Sequence, residues 1–378
     1  MSCARTLLAL NLMTLTALAA EPRLNQIQVI GTHNSYHIAP HADLMGLLSA
    51  TSKTLGQGLD YTHKPLAEQF SELGIRQIEL DIFADPQGGL YAEPSSRKTL
   101  KALGRDPGPD PDVDGVLRKP GLKVLHVPDI DYQTTASTFT IALRQIRTWS
   151  QAHPHHVPIM VLVEVKDSEV AALPTKPLPF DKAALDSIDA EIDAVFGRSE
   201  IFTPDDLRGE FTTLPQAISQ RGWPALNTVR GKVIFGLDNE DTIRDRYLEG
   251  HEALAGRRMF TTVPSENHPA AAWFKINDPI KDFDRIQNAV AKGFLVRTRA
   301  DADTRQARAN DPTQRDKALA SGAQFVSTDY PEARPEFSTY SVKFEAGTVA
   351  RANPVSAKGL NVAGDLEART VAGPESLK

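Results

Sequence analysis

The residues of this chain best suited to chemistry lie at the ends of short apolar segments. They comprise two histidines, three carboxylates, one amide and one lysine: His33, Asn34, Glu79, Asp81, His126, Glu164 and Lys166. In a parallel α/β barrel the carboxyl ends of the strands form the active face, so polar side chains there are candidates for catalysis. Each residue alone has an ordinary structural explanation, but their recurrence in four successive segments indicates a functional site.

The second of these segments, Ile78-Glu79-Leu80-Asp81-Ile82, alternates apolar and acidic residues. The side-chain period of a strand places Glu79 and Asp81 on one face. Burying both is costly unless one is protonated, a basic residue pairs with them, or a metal ion binds. A simple ion pair with Lys or Arg is the structural alternative. Oxygen ligands from Asn34, Glu79, Asp81 and Glu164 suit Ca²⁺ or Mg²⁺, and they do not suit a soft metal.

If oxygen atoms hold the metal, His33 and His126 are free for proton transfer. One imidazole and one imidazolium flanking a phosphodiester form the arrangement that general acid–base cleavage requires. The sequence has no Gly-x-Ser-x-Gly elbow and no glycine-rich phosphate loop. The pattern therefore favours metal-assisted acid–base chemistry over a serine nucleophile.

Eight segments rich in β-branched residues are predicted to be strands. They are residues 26–31, 77–83, 123–127, 158–165, 232–237, 258–262, 294–298 and 324–328. Segments with helical periodicity lie between them, at residues 65–73, 137–151, 181–196, 284–292 and 311–322. This alternation predicts an α/β fold, a TIM-like (β/α)8 barrel, regular or distorted, with a short C-terminal appendage. Residues 105–121 read as a surface loop, and residues 339–344 as a further strand in the appendage.

Composition and the N-terminus restrict the class of protein. The chain has 378 residues and a formal net charge of −6, and it has no basic run, so we expect no nucleic-acid partner. Residues 1–20 carry one arginine, an apolar stretch and an Ala-Leu-Ala end, which is typical of a secretory signal peptide. We expect a secreted or periplasmic monomer with a catalytic domain at residues 21–334 and a partly disordered extension at 335–378. The single cysteine, Cys3, lies within the signal segment, so no disulfide is expected.

Several motifs resemble phosphoinositide-specific phospholipase C, and most closely its bacterial calcium-dependent branch. They are Gly31-Thr32-His33-Asn34-Ser35-Tyr36, Gly74-Ile75-Arg76-Gln77-Ile78-Glu79-Leu80-Asp81, Leu125-His126 and the segment from Pro158 to Glu164. The resemblance continues through residues 293–301 and 318–330. It implies that a phosphatidylinositol-like lipid is cleaved to diacylglycerol and an inositol phosphate, cyclic or acyclic, with transient contact at a membrane surface.

The same resemblance implies roles for individual residues. His33 would stabilise the phosphorane, and His126 would protonate the leaving diacylglycerol oxygen. Asn34, Glu79, Asp81 and Glu164 would hold Ca²⁺, with Mg²⁺ as the less favoured alternative. Metal-independent relatives have an arginine where this chain has a carboxylate, so Asp81 indicates the metal-using version. Lys166, Arg297 and Arg299 would contact the phosphate.

Two other interpretations remain open at this point. A glycerophosphodiester phosphodiesterase or a sphingomyelinase-D-like phospholipase has the same architecture and also uses two histidines with a Glu-x-Asp pair. A protein of another class, an exported barrel that binds a sugar phosphate or lipid headgroup without cleaving it, is expected to have lost a histidine or a metal carboxylate. None of these residues is missing from the sequence.

Overall fold

Ten strands make up the single sheet of this protein, whose computed structural model describes residues 21–362 and 364–368. The strands are β1 (Ile27–Thr32), β2 (Gln77–Phe83), β3 (Lys123–Val124), β4 (Ile159–Val165), β5 (Val233–Leu237), β6 (Met259–Thr261), β7 (Trp273–Lys275), β8 (Leu295–Arg299), β9 (Phe325–Thr328) and β10 (Ala350–Ala352). The predicted signal peptide at residues 1–20, like residues 369–378, lies outside the described part.

Eight of the strands are parallel and follow the order β6-β5-β4-β2-β1-β9-β8-β7. Within the described residues β6 and β7 are not paired with each other, so the sheet forms a nearly closed barrel. Barrel strands that follow one another in sequence are joined by connections that contain helices, as parallel pairing requires, except that residues 262–272 between β6 and β7 form a loop without a helix. The predicted α/β barrel is therefore confirmed.

Thirteen helices lie in the described part of the chain. They are α1 (Ala42–Thr51), α2 (Lys53–Gly58), α3 (Leu66–Glu72), α4 (Ser95–Ala102), α5 (Phe139–Ala152), α6 (Lys182–Val195), α7 (Pro204–Arg208), α8 (Leu214–Gln220), α9 (Leu226–Val229), α10 (Asp241–Leu248), α11 (Phe283–Ala291), α12 (Arg305–Ala309) and α13 (Thr313–Ala320). Short 3₁₀ turns occur at residues 24–26, 198–200, 252–254 and 345–347. None of the helices in this part has the length and apolar character needed to cross a bilayer.

Helix α6 illustrates how the sequence pattern builds the outer layer. Asp181 caps the helix by accepting a hydrogen bond from the backbone N–H of Ala184, a typical N-cap arrangement. One side of the helix is buried against the barrel, at Leu185, Ile188, Ile192 and Val195. These are the residues that the helical periodicity predicts to face the core.

The prediction of a third barrel strand at residues 123–127 is wrong. Only β3 is a strand, and it runs antiparallel to β2, with Val124 opposite Ile82 and Lys123 opposite Phe83. Helix α4, in the connection between β2 and β3, packs in a cluster separate from the barrel core, so no crossover helix returns the chain for parallel pairing. His126 therefore lies in a loop that follows β3, and it is not carried by a barrel strand.

The eighth barrel strand is β7, which the sequence does not signal because it has three residues and follows three alanines. The prediction of a strand at residues 339–344 is also wrong. Its alternating burial, with Tyr340 and Val342 inside, comes from packing on the barrel without strand pairing. The strand of the tail is β10, which pairs antiparallel with β1.

Candidate active site

The C-terminal end of the barrel, called the mouth below, collects polar side chains from most of its strands. Strand β2 has Glu79 and Asp81 on its inward face, as its alternating sequence predicts. Glu79 accepts a hydrogen bond from Arg297 of β8, and Asp81 lies 3.2 Å from Nζ of Lys166. The same Nζ lies 3.0 Å from Oε2 of Glu164 on β4. Side chains of β2 and of the end of β4 thus meet Arg297 of β8 at the mouth.

Glu79, Asp81 and Glu164 form a carboxylate cluster in which one oxygen of each lies within 4.8 Å of the others. Burial raises the pKa of Glu79 to about 8, although the positive charge of Arg297 opposes the shift. Burial likewise raises the pKa of Asp81 to about 7 against the effect of Lys166. Lys166 and Arg297 alone do not offset the cost of ionising the cluster, so a bound cation would stabilise the ionised carboxylates.

Asn34, the fourth predicted oxygen ligand, follows β1 and lies next to β2. Its backbone is in the left-handed region (φ 45°), which asparagine tolerates better than most residues. The next residue, Ser35, donates its N–H to the carbonyl of Glu79 at 2.9 Å, so Asn34 is fixed beside β2. The Asn34 Nδ2 donates to the Tyr61 hydroxyl at 3.1 Å, while its buried Oδ1 has no hydrogen-bond partner, as is also true of Oδ1 of Asp81. Unpartnered buried oxygens beside three carboxylates fit a hard cation such as Ca²⁺.

His33 follows β1, and both of its ring nitrogens have hydrogen-bond partners. Nδ1 lies 2.8 Å from Oδ1 of Asp329, and Nε2 lies 3.2 Å from a guanidinium nitrogen of Arg299. Since arginine only donates, Nε2 accepts and Nδ1–H donates to Asp329, which makes the ring neutral. Burial and the nearby Arg299 charge lower the pKa of His33 to about 3. His33 is 19% exposed, so it reaches the solvent of the mouth.

His126 is the second predicted catalytic histidine. Its side chain is 24% exposed, and its Nδ1 lies 2.7 Å from Oδ2 of Asp131. Burial alone would raise the pKa of Asp131, but the charge and hydrogen bonds of His37 and His126 outweigh burial and lower it to about 2. An ionised Asp131 accepts a hydrogen bond from the Nδ1–H group of His126. The Nε2 of His126 is then the ring atom available for proton transfer.

The three predicted phosphate-binding residues have different surroundings. Arg299 lies at the rim beside His33 and donates to Asp329 at 3.0 Å. Lys166 is partly exposed above the carboxylate cluster. Arg297 is buried, and its guanidinium also donates to Asn277 at 2.7 Å, so it serves as the internal counter-charge of Glu79. Phosphate contact by these residues stays a prediction.

The sequence did not lead us to four charged groups at the mouth, three of them buried and Lys275 partly buried. Asp329 follows β9, Asp238 follows β5, Lys275 ends β7, and Asp131 follows His126 in its loop. Lys275 donates to Oδ2 of Asp238 at 2.9 Å, which leaves Oδ1 of this aspartate without a partner. Asp329 and Asp238 had a sequence signal, because each comes directly after a predicted strand. Lys275 and Asp131 had none, since β7 and the loop of His126 were not predicted.

Fold and site together define a class: a parallel α/β barrel whose mouth holds two histidines bonded to carboxylates and a cluster of three carboxylates. The sequence model of one family, Phosphoinositide phospholipase C, Ca²⁺-dependent, matches residues 22–354. The match covers most of the chain, so this protein belongs to that family. A comparison with curated protein sequences finds no match.

Solved structures with a similar fold include bacterial phospholipases. A calcium-dependent phosphoinositol-specific phospholipase C from a Gram-negative bacterium, Pseudomonas sp, in its myoinositol complex, is 14% identical with a TM-score of 0.53, covering 88% of this chain and 96% of that chain. A Ca²⁺-dependent phosphatidylinositol-specific phospholipase C from Streptomyces antibioticus is 16% identical with a TM-score of 0.50, covering 82% and 95%. At these identities the likeness shows a shared fold.

Proposed function

We propose that this protein is a calcium-dependent phosphodiesterase of the phospholipase C type, which cleaves phosphatidylinositol-like lipids to diacylglycerol and inositol cyclic phosphate. One observation carries the proposal. Two partly exposed histidines, His33 and His126, each bond a buried aspartate through Nδ1, and the mouth that holds them also contains an oxygen-rich cluster. Family membership supports the reaction class.

The proton transfers follow from the states of the two rings. The resemblance gives His33 the stabilisation of the phosphorane, but its neutral ring with an accepting Nε2 favours a different role. Once substrate displaces Arg299, Nε2 accepts the proton of the inositol hydroxyl that attacks phosphorus. A phosphorus–oxygen bond forms to the inositol as the bond to the diacylglycerol oxygen breaks. His126, protonated at Nε2, gives its proton to the departing oxygen. Asp329 and Asp131 keep both rings in the tautomer that these transfers need.

The phosphate is held by charge. In this proposal Arg299, displaced from His33, donates to a phosphoryl oxygen, and Lys166, directly after β4, supplies a second positive charge. Asn34, Glu79, Asp81 and Glu164 would hold Ca²⁺, which when bound supplies further positive charge to the phosphate and lowers the pKa of the attacking hydroxyl. The unpartnered oxygens of Asn34 and Asp81 support this ligand set.

The proposal is tested by hydrolysis of phosphatidylinositol by the mature protein and by its His33→Ala and His126→Ala variants. Each substitution removes a proton-transfer group, so kcat is expected to fall by about 10²- to 10⁴-fold with thermal unfolding unchanged. His155→Ala, which removes an exposed histidine on the opposite side of the barrel, is the matched control and should retain wild-type turnover. Undiminished activity of either site variant would refute the assignment of that histidine.

The same assay separates the alternative functions. Activity on glycerophosphodiesters or sphingomyelin, together with inactivity on phosphatidylinositol, would replace the proposal by one of the related phosphodiesterases. Binding of inositol phosphate without turnover of any of these substrates would indicate a binding barrel. Hydrolysis of the alternative substrates and binding of inositol phosphate can both be measured on the same protein preparation.

We further propose that the active face contacts the lipid surface. The most exposed large hydrophobic side chains of the described residues all lie between the carboxyl end of a barrel strand and a later helix of the same connection, α3, α5, α6 or α11: Leu55, Leu90, Leu103, Val113, Val170, Leu178 and Ile280. Helices α1, α2 and α4 form a helical cap with a small core of their own on this side. Exposed Lys53, Lys101 and Arg105 flank its apolar residues, a composition that suits an anionic lipid surface.

Sedimentation with phospholipid vesicles tests this contact. Leu103→Asp and Ile280→Asp are each expected to weaken vesicle binding by roughly tenfold, since each removes an apolar side chain from the interface. Ala291→Asp places the same charge at the exposed end of α11, on the opposite side of the barrel, and should bind like the wild type. Equal loss in all three variants would assign the effect to charge alone.

Export and action as a monomer belong to the same proposal. Export rests on the pattern of residues 1–20, and fractionation of cells that express the full chain tests it. Light scattering of the mature protein tests the monomer. Recovery of the protein in the cytoplasm would contradict export, and a stable dimer would contradict action as a monomer.

A further inference from the structure

His37 lies four residues after His33, and its side chain is fully buried. Its Nε2 lies 2.9 Å from both carboxylate oxygens of Asp131, and its Nδ1 lies 3.0 Å from the carbonyl oxygen of Tyr61. Both partners are acceptors, so both ring nitrogens of His37 donate. A buried histidine that is bonded at both ends has no freedom to rotate.

The backbone and ring of His37 are fixed as well. Its N–H donates to the carbonyl of Asn34 at 2.8 Å, and its carbonyl accepts from the N–H of His63 at 2.9 Å. Its ring stacks on Tyr61 with centroids 4.2 Å apart. Because Tyr61 in turn accepts a hydrogen bond from the Asn34 amide, His37 belongs to a rigid group continuous with the cluster at the mouth.

His126, by contrast, has little support from regular structure. It follows the two-residue strand β3 in a loop that turns at Asp129, whose backbone is left-handed (φ 71°). The side-chain hydrogen bond that fixes its ring is the one to Asp131, which lies in the same loop. Asp131 therefore orients His126 only if something outside the loop holds Asp131, and the group in contact with both of its oxygens is His37.

We propose that His37 is a positioning residue, which holds the Asp131 carboxylate and through it the His126 ring in the tautomer with Nδ1 protonated. The inference rests on the proposed role of His126 in proton transfer. The juxtaposition of His37, Asp131 and His126 also resembles a transition-metal site, since one ligand atom of each lies within 4.8 Å of the others. Hydrogen bonds already pair Nε2 of His37 and Nδ1 of His126 with the Asp131 carboxylate, which favours the positioning role.

The test uses His37→Phe, which keeps a ring on Tyr61 but removes both donors, and His37→Gln, which retains one amide donor. Turnover of phosphatidylinositol by the Phe variant is expected to fall about 10- to 100-fold in kcat with little change in KM, the usual cost of removing an outer partner of an oriented histidine. The Gln variant should recover part of the loss. His156→Phe is the matched control, because His156 is equally buried and also bonded at both nitrogens, to Ser150 and Val157, but lies before β4 on the opposite side of the barrel.

A second readout does not depend on activity. Long-range ¹H–¹⁵N NMR of the His126 ring at alkaline pH is expected to show the Nδ1–H tautomer in the wild type and a mixture of tautomers in His37→Phe. An unchanged tautomer, or a kcat no lower than that of His156→Phe at equal folded fraction, would overturn the positioning role. Stoichiometric zinc in the purified protein that disappears in His37→Phe would replace it by a metal site. If no variant and no wild-type sample hydrolyses the lipid, the proposed function fails, yet the tautomer still reports on His37.

Discussion

Replacing Glu367 by glutamine is expected to destabilise the whole barrel, although this residue lies near the end of the described chain. Its carboxylate accepts hydrogen bonds from Nε of Arg76 at 2.6 Å and from a terminal guanidinium nitrogen of the same residue, in a two-point pair. The Arg76 side chain is 3% exposed and lies over the ring of Trp149. Among the described residues Glu367 is the carboxylate that pairs with this buried charge.

The expected magnitude follows from the burial of the arginine. Breaking a buried ion pair by neutralising one partner costs about 3–5 kcal/mol, because the remaining charge stays desolvated. For a folded unit of this size, that loss lowers Tm by roughly 4–7 °C. The carbonyl oxygens of Phe70 and Ile75 still accept from Arg76, so the lower part of each range is expected.

Differential scanning calorimetry of the wild type and of Glu367→Gln measures the effect. Asp303→Asn is the matched control, because it neutralises an aspartate that pairs with Arg305 at 3.1 Å where both side chains are largely exposed. The double variant with Arg76→Met should cost less than the sum of the two single variants. A fall in Tm no larger than that of the control would refute the reasoning and make the tail a loosely attached appendage.

Three further outcomes are expected. Asp329→Asn should lower kcat by roughly 10²- to 10⁴-fold, because an asparagine amide can donate to Nδ1 as well as accept from it and so no longer enforces the Nδ1–H tautomer of His33; a kcat within about twofold of wild type would contradict this. Burial lowers the pKa of His156 to about 4, so the unfolded chain binds the extra proton first and stability falls as pH drops from about 6.5 to 4; urea unfolding of His156→Gln should show a weaker fall, and an equal one would exclude His156 as its source. Calcium at a hundredfold excess over Kd should stabilise the protein by about 2.7 kcal/mol, and Asp81→Asn should lose most of this gain in thermal unfolding; equal stabilisation of both proteins would remove Asp81 from the ligand set.

Much of the barrel could be predicted from the sequence because its strands are buried on both faces and read as apolar runs. Seven of the eight predicted strands are barrel strands, and β2 shows the predicted inward pair of Glu79 and Asp81. The error at residues 123–127 arose because an apolar run does not reveal its partner or its direction. Strand β7 was missed because a three-residue strand is shorter than any periodic pattern.

The site was harder to predict where it depends on pairing between distant segments. The sequence places His33 and Asp329 almost three hundred residues apart, and only the pairing of β1 with β9 makes them neighbours. The role of Arg297 as the counter-charge of Glu79 arises across the barrel in the same way. Asp131 and His37 gave no signal, because their contact requires two loops to pack together over the mouth.

The central claim is tested most directly by phosphorus NMR of the products formed from phosphatidylinositol, first in calcium and then in excess chelator. We predict that an inositol cyclic phosphate appears in calcium, that its formation stops when the chelator is added, and that it resumes when calcium is restored. Absence of turnover in calcium, or turnover that continues unchanged in chelator, would contradict the account.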